Sequence, residues 1–258
     1  MSKDRSVKIY GLGWVGKSMK NMFPDAIVDD PILGLNPEET CDVAFVCVPT
    51  PVKDGTLDVS IVESVVRRSK EPLIIIRSTV MPGTTDNLAK ETGKSIIFQP
   101  EYIGETIQSG LMNQRARPFV ILGGKEEDTQ KAIEVYHQIY NATLHIRQTT
   151  AYEAEVIKLS ENRAIMYKVM QCQELYDVCK AAGVNYNTVR EAVYSDDPRF
   201  NLWFTFVYPE KRGCLTSCLP KDIIGWAAWA ESVGYYPHLT QTMLEVNHRY
   251  IKGRKLER

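Results

Sequence analysis

The chain has 258 residues, 44% of them hydrophobic and 24% charged, which is enough to build one large domain or two modest ones. A net charge of −1 gives no electrostatic reason to expect nucleic acid or an anionic membrane surface as the main partner. No apolar run reaches bilayer-spanning length, and the polar stretch Met1–Ser6 leads into a strand without a secretory leader, so a cytoplasmic protein with six thiol cysteines is expected.

The first predicted strand, Val7–Tyr10, runs directly into Gly11-Leu12-Gly13-Trp14-Val15-Gly16 and a short helix. Glycines in such a turn let the backbone approach a pyrophosphate, which rests on the helix N-terminus, the alternative being a merely structural Gly-rich turn. The next strand, Ala26–Val28, ends in Asp29-Asp30. A carboxylate there accepts hydrogen bonds from ribose hydroxyls and repels a 2′-phosphate, favouring NAD over NADP. Asp29 is preferred over Asp30 for this role, the alternative being that one of the pair only caps the following turn. The interval from Gly16 to Asp29 is short, so the helix between them must be clipped.

Further strands are predicted at Val43–Val48, Leu73–Ile76, Ile96–Phe98 and Phe119–Leu122, with helices at Asp58–Lys70 and Glu126–Tyr140. Most of these strands are continuous apolar runs, as expected where both faces are covered. Their alternation with helices predicts an α/β fold with a doubly wound, Rossmann-type parallel sheet over residues 1–148. Two strands end in Val48-Pro49-Thr50-Pro51 and Ser78-Thr79-Val80-Met81-Pro82-Gly83-Thr84. Ligands collect at the carboxyl ends of strands in such sheets, so Val48, Pro49, Thr50, Ser78 and Thr79 are candidate cofactor contacts. The alternative is that both segments are ordinary strand-to-helix turns.

The pattern changes near Arg147–Thr150, and residues 149–258 are predicted to be all-helical. One helix free of Gly and Pro spans Thr150–Ala182 and stops at Gly183. A second covers roughly Tyr186–Val193, a loop occupies Ser195–Thr216, and helix resumes from Pro220. A helix of such length predicts a homodimer, with an intramolecular core helix as the alternative. The basic stretch Lys252–Arg258 is expected to be a solvated tail, with an interaction tail as the alternative. Cys41, Cys47, Cys172 and Cys179 lie among apolar neighbours and are expected in the core. The absence of a CxxC pair or a His cluster speaks against a metal site.

Cys218 differs, because it precedes a helix with Pro220 in its first turn. The positive end of that helix and the neighbouring Lys221 favour the thiolate, the nucleophilic form, the alternative being an idle cysteine at a helix start. Lys158 and Asn162 are four positions apart and share a helix face, where an ammonium and an amide could hold an oxyanion. Alternatively, Glu155 and Lys158 simply pair on a wet surface.

From Lys8 to Arg249 these segments resemble the UDP-glucose/GDP-mannose 6-dehydrogenase family. The resemblance rests on Gly11–Gly16, Val48–Pro51, Ser78–Thr84, Gln99-Pro100-Glu101-Tyr102, and Ala154-Glu155-Val156-Ile157-Lys158 with Asn162. Ser217-Cys218-Leu219-Pro220-Lys221-Asp222 is its most specific part. The resemblance implies NAD-dependent oxidation of the 6-hydroxymethyl of a nucleotide sugar to a carboxylate, with two NAD molecules used per sugar. It implies that Cys218 is the nucleophile and that Lys158 and Asn162 hold the developing oxyanion and a water. Glu101 would serve as general base in thioester hydrolysis, Asp222 would help position water, and Thr79 would be a polar contact near the reacting centre. Glu101, Tyr102, Lys158, Asn162, Cys218 and Arg199 would meet the substrate, Arg199 from across a dimer interface.

Three features depart from the family pattern. The sequence stops at Arg258, where family members continue into a third domain that grips the nucleotide. Cys214-Leu215-Thr216 stands where a Phe-Gly-Gly run is usual, and the Rossmann half is short. Two other readings therefore stand beside the first: a two-domain hydroxyacid dehydrogenase with no use for Cys218, and a non-catalytic module binding NAD or a nucleotide.

Overall fold

The computed structural model describes residues 5–102, 119–137, 139–140 and 144–253, so the last five residues of the basic tail lie outside it. The chain forms two compact units, Met1–Lys158 and Leu159–Arg258.

In the first unit seven strands form one sheet: β1 (Val7–Tyr10), β2 (Ile27–Asp29), β3 (Val43–Val46), β6 (Leu73–Ile76), β7 (Ser95–Phe98), β8 (Phe119–Gly123) and β9 (His145–Thr149). Their order is β2-β1-β3-β6-β7-β8-β9. Every pairing is parallel except β7 with β8, which meet antiparallel at Phe98 and Gly123. The expected α/β fold is present, and its sheet is mostly parallel.

Alternation of side chains across the pleat sorts the apolar strands into two cores. Ile9, Phe45, Ile75, Ile97 and Leu122 fill one face with Met19, Phe23 and Tyr136. Val46, Ile74, Ile76 and Phe98 fill the other with Val62, Val66 and Leu88. The covering helices are α1 (Trp14–Met22), α2 (Ser60–Arg68), α3 (Thr84–Thr92) and α4 (Glu126–His137). A two-stranded hairpin, β4 (Val52–Lys53) and β5 (Thr56–Leu57), precedes α2. The sequence reading missed this hairpin, α3 and β9, and it extended β3, α2 and α4 by two to three residues at their ends.

A parallel crossover normally carries an α-helix. Between β2 and β3, however, the described chain has only a 3-10 turn at Pro31–Leu33. The stretch that follows is held by Lys8, whose ammonium donates to the carbonyls of Pro37 (3.0 Å) and Glu39 (2.9 Å). The Lys8 charge is balanced by buried Glu71 at 3.8 Å. Burial works against the Glu71 charge, yet hydrogen bonds from Ser69 and Tyr10, together with Lys8, keep its carboxyl below the usual range.

The second unit is helical. α5 (Ala151–Ala182) opens on Thr150 and Glu153, which cap one another: the Thr150 amide donates to the Glu153 carboxylate (3.0 Å) and the Glu153 amide to the Thr150 hydroxyl (3.2 Å). Gly183, at φ +70°, ends the helix in the left-handed region that favours glycine. The unit boundary falls inside α5, between Lys158 and Leu159. α6 (Tyr186–Glu191) continues into a π-helical turn at Ala192–Asp196, so helix runs past the expected end at Val193. α7 (Leu219–Ser232) and α8 (His238–Ile251) complete the unit. Its cores are small and rich in sulfur and tyrosine: Met166, Met170, Cys214, Ile223 and Met243 in one, Cys172, Cys179, Tyr186 and Tyr194 in the other. Among the described residues no helix is long and apolar enough to cross a membrane.

Candidate active site

The glycine turn sits between β1 and α1, and its three glycines have different reasons for lacking a side chain. A Cβ on Gly16 would fall 1.9 Å from the Gly11 carbonyl oxygen, and one on Gly11, at φ +88°, would fall 2.7 Å from that of Cys47. Both are demanded by packing. A Cβ on Gly13 would meet nothing within 4 Å. Among the described residues no atom explains that glycine, which leaves the backbone there open to close approach by a ligand. Trp14 and Val15 begin α1, and Trp14 is 43% exposed. The turn fits a dinucleotide.

The two carboxylates after β2 have separate duties. Asp29 is buried and accepts two hydrogen bonds from the Arg68 guanidinium, both 2.9 Å. Asp30 accepts from the Leu12 amide inside the glycine turn (2.8 Å) and from the Ile32 amide (3.1 Å), which caps the 3-10 turn. Asp30, the residue not preferred from sequence, therefore carries the carboxylate tied to the turn. Arg68 lies 39 positions from Asp29, and no local signal announces the pair.

At the carboxyl ends of β3 and β6, the Ser78 hydroxyl donates to the Val48 carbonyl (2.7 Å), joining the two segments singled out from sequence. Thr50 and Thr79 are buried, Val48 is half-buried and Pro49 is exposed.

Lys158 is buried rather than on a wet surface, and so is Glu155. The Lys158 ammonium lies 2.8 Å from the Glu101 carboxylate and donates to the Glu101 carbonyl at 2.7 Å. The Tyr102 ring is beneath it at 5.9 Å. Glu155 does not pair with Lys158. Its carboxylate accepts from the Gly83 amide (2.5 Å) and from the amide (2.9 Å) and hydroxyl (2.6 Å) of Thr85. The sequence marks Glu155 as part of a motif but does not reveal this partner.

In the second unit Cys218 is the half-buried N-cap of α7, with Pro220 in the first turn as expected. Its carbonyl accepts from the Asp222 amide at 3.0 Å, and its sulfur is 3.7 Å from the Ser217 hydroxyl. Asp222 is buried and accepts from the Asn162 side chain (2.6 Å) and Lys221 (2.5 Å). Lys221 thus neutralises Asp222. A residue missed from sequence, Asn247 of α8, supports the preceding loop: its side chain accepts from the Cys214 amide (2.7 Å) and donates to the Cys214 carbonyl (3.2 Å). Arg199 is exposed and ion-paired with Asp197 at 2.5 Å.

The predicted residues thus gather into two groups, each within its own unit. One holds Lys158, Glu101 and Tyr102; the other holds Cys218, Asp222 and Asn162. Among the described residues no cluster of three or more His, Cys, Asp or Glu is arranged to hold a metal ion.

Comparison with known proteins matches residues 35–144 to the NAD-binding domain of the UDP-glucose/GDP-mannose dehydrogenase family and residues 152–249 to its central domain. The first match begins after the glycine turn. The UDP-glucose 6-dehydrogenase AglM of Haloferax volcanii is 27% identical over 234 residues, covering 80% of this chain and 52% of its own length. The GDP-mannose 6-dehydrogenase of Pseudomonas aeruginosa is 29% identical over 202 residues, covering 70% of this chain and 45% of its own. The chain therefore spans about half the length of these curated relatives. A UDP-glucose dehydrogenase structure from Pyrobaculum islandicum superposes with a TM-score of 0.80 at 24% identity, over 96% of this chain and 68% of that one. With two domain models matched in order along most of its length, the chain belongs to the UDP-glucose/GDP-mannose dehydrogenase family.

Proposed function

We propose that the chain carries the NAD-binding and cysteine-bearing parts of a nucleotide-sugar 6-dehydrogenase that oxidises the sugar C6 alcohol to a carboxylate. The observation that carries this reading is the arrangement at the head of α7, where Cys218 precedes a buried Asp222 that fixes the Asn162 amide.

NAD, when bound, supplies the oxidation by accepting hydride, twice for each sugar. Gly11 to Gly16 would hold its pyrophosphate, with Val48, Pro49, Thr50, Ser78 and Thr79 lining the strand ends. Asp30, half-buried and already on the glycine turn, is the better placed ribose acceptor, since Asp29 is buried and paired with Arg68. Asp30→Asn should therefore weaken NAD binding more than Asp29→Asn in titration calorimetry. The opposite order would return the role to Asp29.

The first oxidation turns the C6 alcohol into an aldehyde, its hydroxyl proton passing to a base. The Cys218 thiolate then adds to the aldehyde carbon, forming a C–S bond and an oxyanion that gains a proton. Loss of the remaining C6 hydride, together with the hydroxyl proton to a base, turns this thiohemiacetal into a thioester. Water attacks the thioester, the C–S bond breaks, and carboxylate and thiol are released. Covalent capture divides a difficult oxidation into easier steps and retains the aldehyde.

Lys158 and Asn162 would stabilise the oxyanions, and removal of one such donor costs roughly 100- to 1000-fold in rate. Glu101 would accept the proton of the attacking water, and Asp222 would orient it through Asn162. Thr79 and Tyr102 would contact the substrate. A homodimer through α5 accompanies this reading, with Arg199 reaching the partner's substrate, and exposed Phe200, Trp203, Phe206 and Tyr208 follow Arg199 in sequence. Light scattering should report twice the chain mass.

The direct test offers NAD with UDP-glucose, GDP-mannose and related nucleotide sugars to the protein and to Cys218→Ala. The parent should form two NADH per sugar and the variant no carboxylate. One NADH per sugar in the parent, or full turnover by the variant, would overturn the scheme.

A further inference from the structure

α5 enters the first unit through close contacts. A Cβ on Gly123 of β8 would lie 2.4 Å from the Ala154 Cβ, so strand and helix meet at a distance only glycine permits. One residue on, the Glu155 carboxylate spans to the start of α3, where Gly83 adopts φ +95° and the helix has no side-chain cap of its own. Its two oxygens take up the Gly83 and Thr85 amides and the Thr85 hydroxyl. Glu155 therefore caps a helix on another element, 70 to 72 positions away. It ties the Ser78–Thr84 segment to the turn of α5 just before Lys158.

We propose that Glu155 is a positioning residue which sets Lys158 and the Thr79-bearing segment in fixed relation, and so determines how tightly Lys158 is held in its buried pair with Glu101. This rests on the reading above only for its effect on turnover. Lys158 follows Glu155 by three positions, on the same side of the helix. Releasing the carboxylate frees both the α3 cap and the α5 turn that presents the lysine. The cost of keeping this carboxylate buried supports a dedicated role: burial drives its pKa up to about 7, against the pull of the hydrogen bonds from Thr85 and Gly83 and reinforced by Asp86 nearby. A purely structural cap is cheaper with Ser or Asp on the helix itself.

The test compares the full chain with Glu155→Gln and Glu155→Ala. Gln keeps one acceptor oxygen for Thr85 but turns an amide N–H toward the Gly83 N–H. Lysine acetylation by acetic anhydride, read per peptide by mass spectrometry, reports local opening at Lys158, with buried Lys8 of the same unit as internal control. Lys158 labelling should rise at least about fivefold in Glu155→Ala, and less in Glu155→Gln, with Lys8 unchanged. On a nucleotide sugar that the parent oxidises, kcat should fall roughly 10- to 100-fold. Unchanged Lys158 labelling, or labelling of Lys158 and Lys8 rising together, would overturn the positioning role. Absence of any turnover in the parent would instead overturn the proposed function and leave the labelling result to decide this one.

Discussion

The two units solve the same problem with different materials. The first is built on strands whose Ile, Val and Phe side chains disappear on both faces of a sheet, leaving Ile9, Phe45, Ile74, Ile76 and Phe98 fully buried. The second relies on sulfur-containing side chains and on arginines laid against rings. Arg163 stacks at 4.0 Å on Trp226, and Arg212 lies between Tyr176 (5.0 Å) and Tyr250 (4.7 Å). It also leaves Trp203, Tyr208, Tyr235 and Leu239 each more than 60% exposed. The sheet unit fixes its geometry through backbone ladders and close glycine contacts, whereas the helical unit does so through individual polar side chains. Substitutions should consequently fail in different ways.

The sharpest break is expected at the glycine turn. Gly16→Ala drives a Cβ into the Gly11 carbonyl, backbone against backbone, and should cost about 3 kcal/mol or more, seen as a lower melting temperature. Gly13→Ala meets no protein atom, so its stability should change by less than about 1 kcal/mol while NAD binding weakens at least tenfold. If Gly13→Ala binds NAD normally, the cradle reading fails.

In the helical unit the corresponding lesion is a lost polar pair. Asn247→Leu leaves the buried Cys214 amide and carbonyl without their side-chain partner and should cost about 2 kcal/mol. Iodoacetamide should alkylate Cys218 at an altered rate in this variant, because the loop entering α7 is no longer tied to α8. An unchanged rate would mean that the loop is held by Thr216, whose hydroxyl accepts the Leu219 amide at 3.3 Å.

The last effect is a slope. Burial raises the Glu155 pKa from 4.5 to about 7, so the folded chain holds that proton more tightly than the unfolded chain does. Stability from this group is present at low pH and is lost as pH rises between those two values. Relative to Glu155→Gln, the wild type should therefore melt progressively lower from about pH 4.5 to about pH 7, and run parallel above it. Parallel curves throughout would mean an ordinary carboxylate.

What the sequence disclosed follows the same division. The strands were legible because continuous apolar runs have few other uses, and the long helix because nothing interrupts it before Gly183. α3 escaped notice because only Thr85 and Leu88 of its nine residues are buried. β9 escaped because His-Ile-Arg-Gln-Thr is a polar edge strand with no buried position. Site residues were named through motif resemblance, and the structure added what motifs do not encode: partners distant in sequence. Arg68 on Asp29, Gly83 and Thr85 on Glu155, and Asn247 on Cys214 all depend on how the chain folds back, and no local pattern specifies them.

The ammonium of Lys8 has a consequence for how such chains change length. One side chain satisfies two carbonyls of an irregular crossover, a task usually given to several turns of backbone ladder. The β2–β3 connection is thus held at Pro37 and Glu39 by one ammonium, and again just before β3 by Asp42, whose carboxylate accepts from the Ser6 amide and hydroxyl (both 2.7 Å). Insertions or deletions are then tolerated best in the exposed stretch 31–36, outside these ties, while replacement of Lys8 would release the Pro37 and Glu39 carbonyls. Variation in crossover length among related chains should accordingly track the identity of this residue more closely than that of any residue within the crossover.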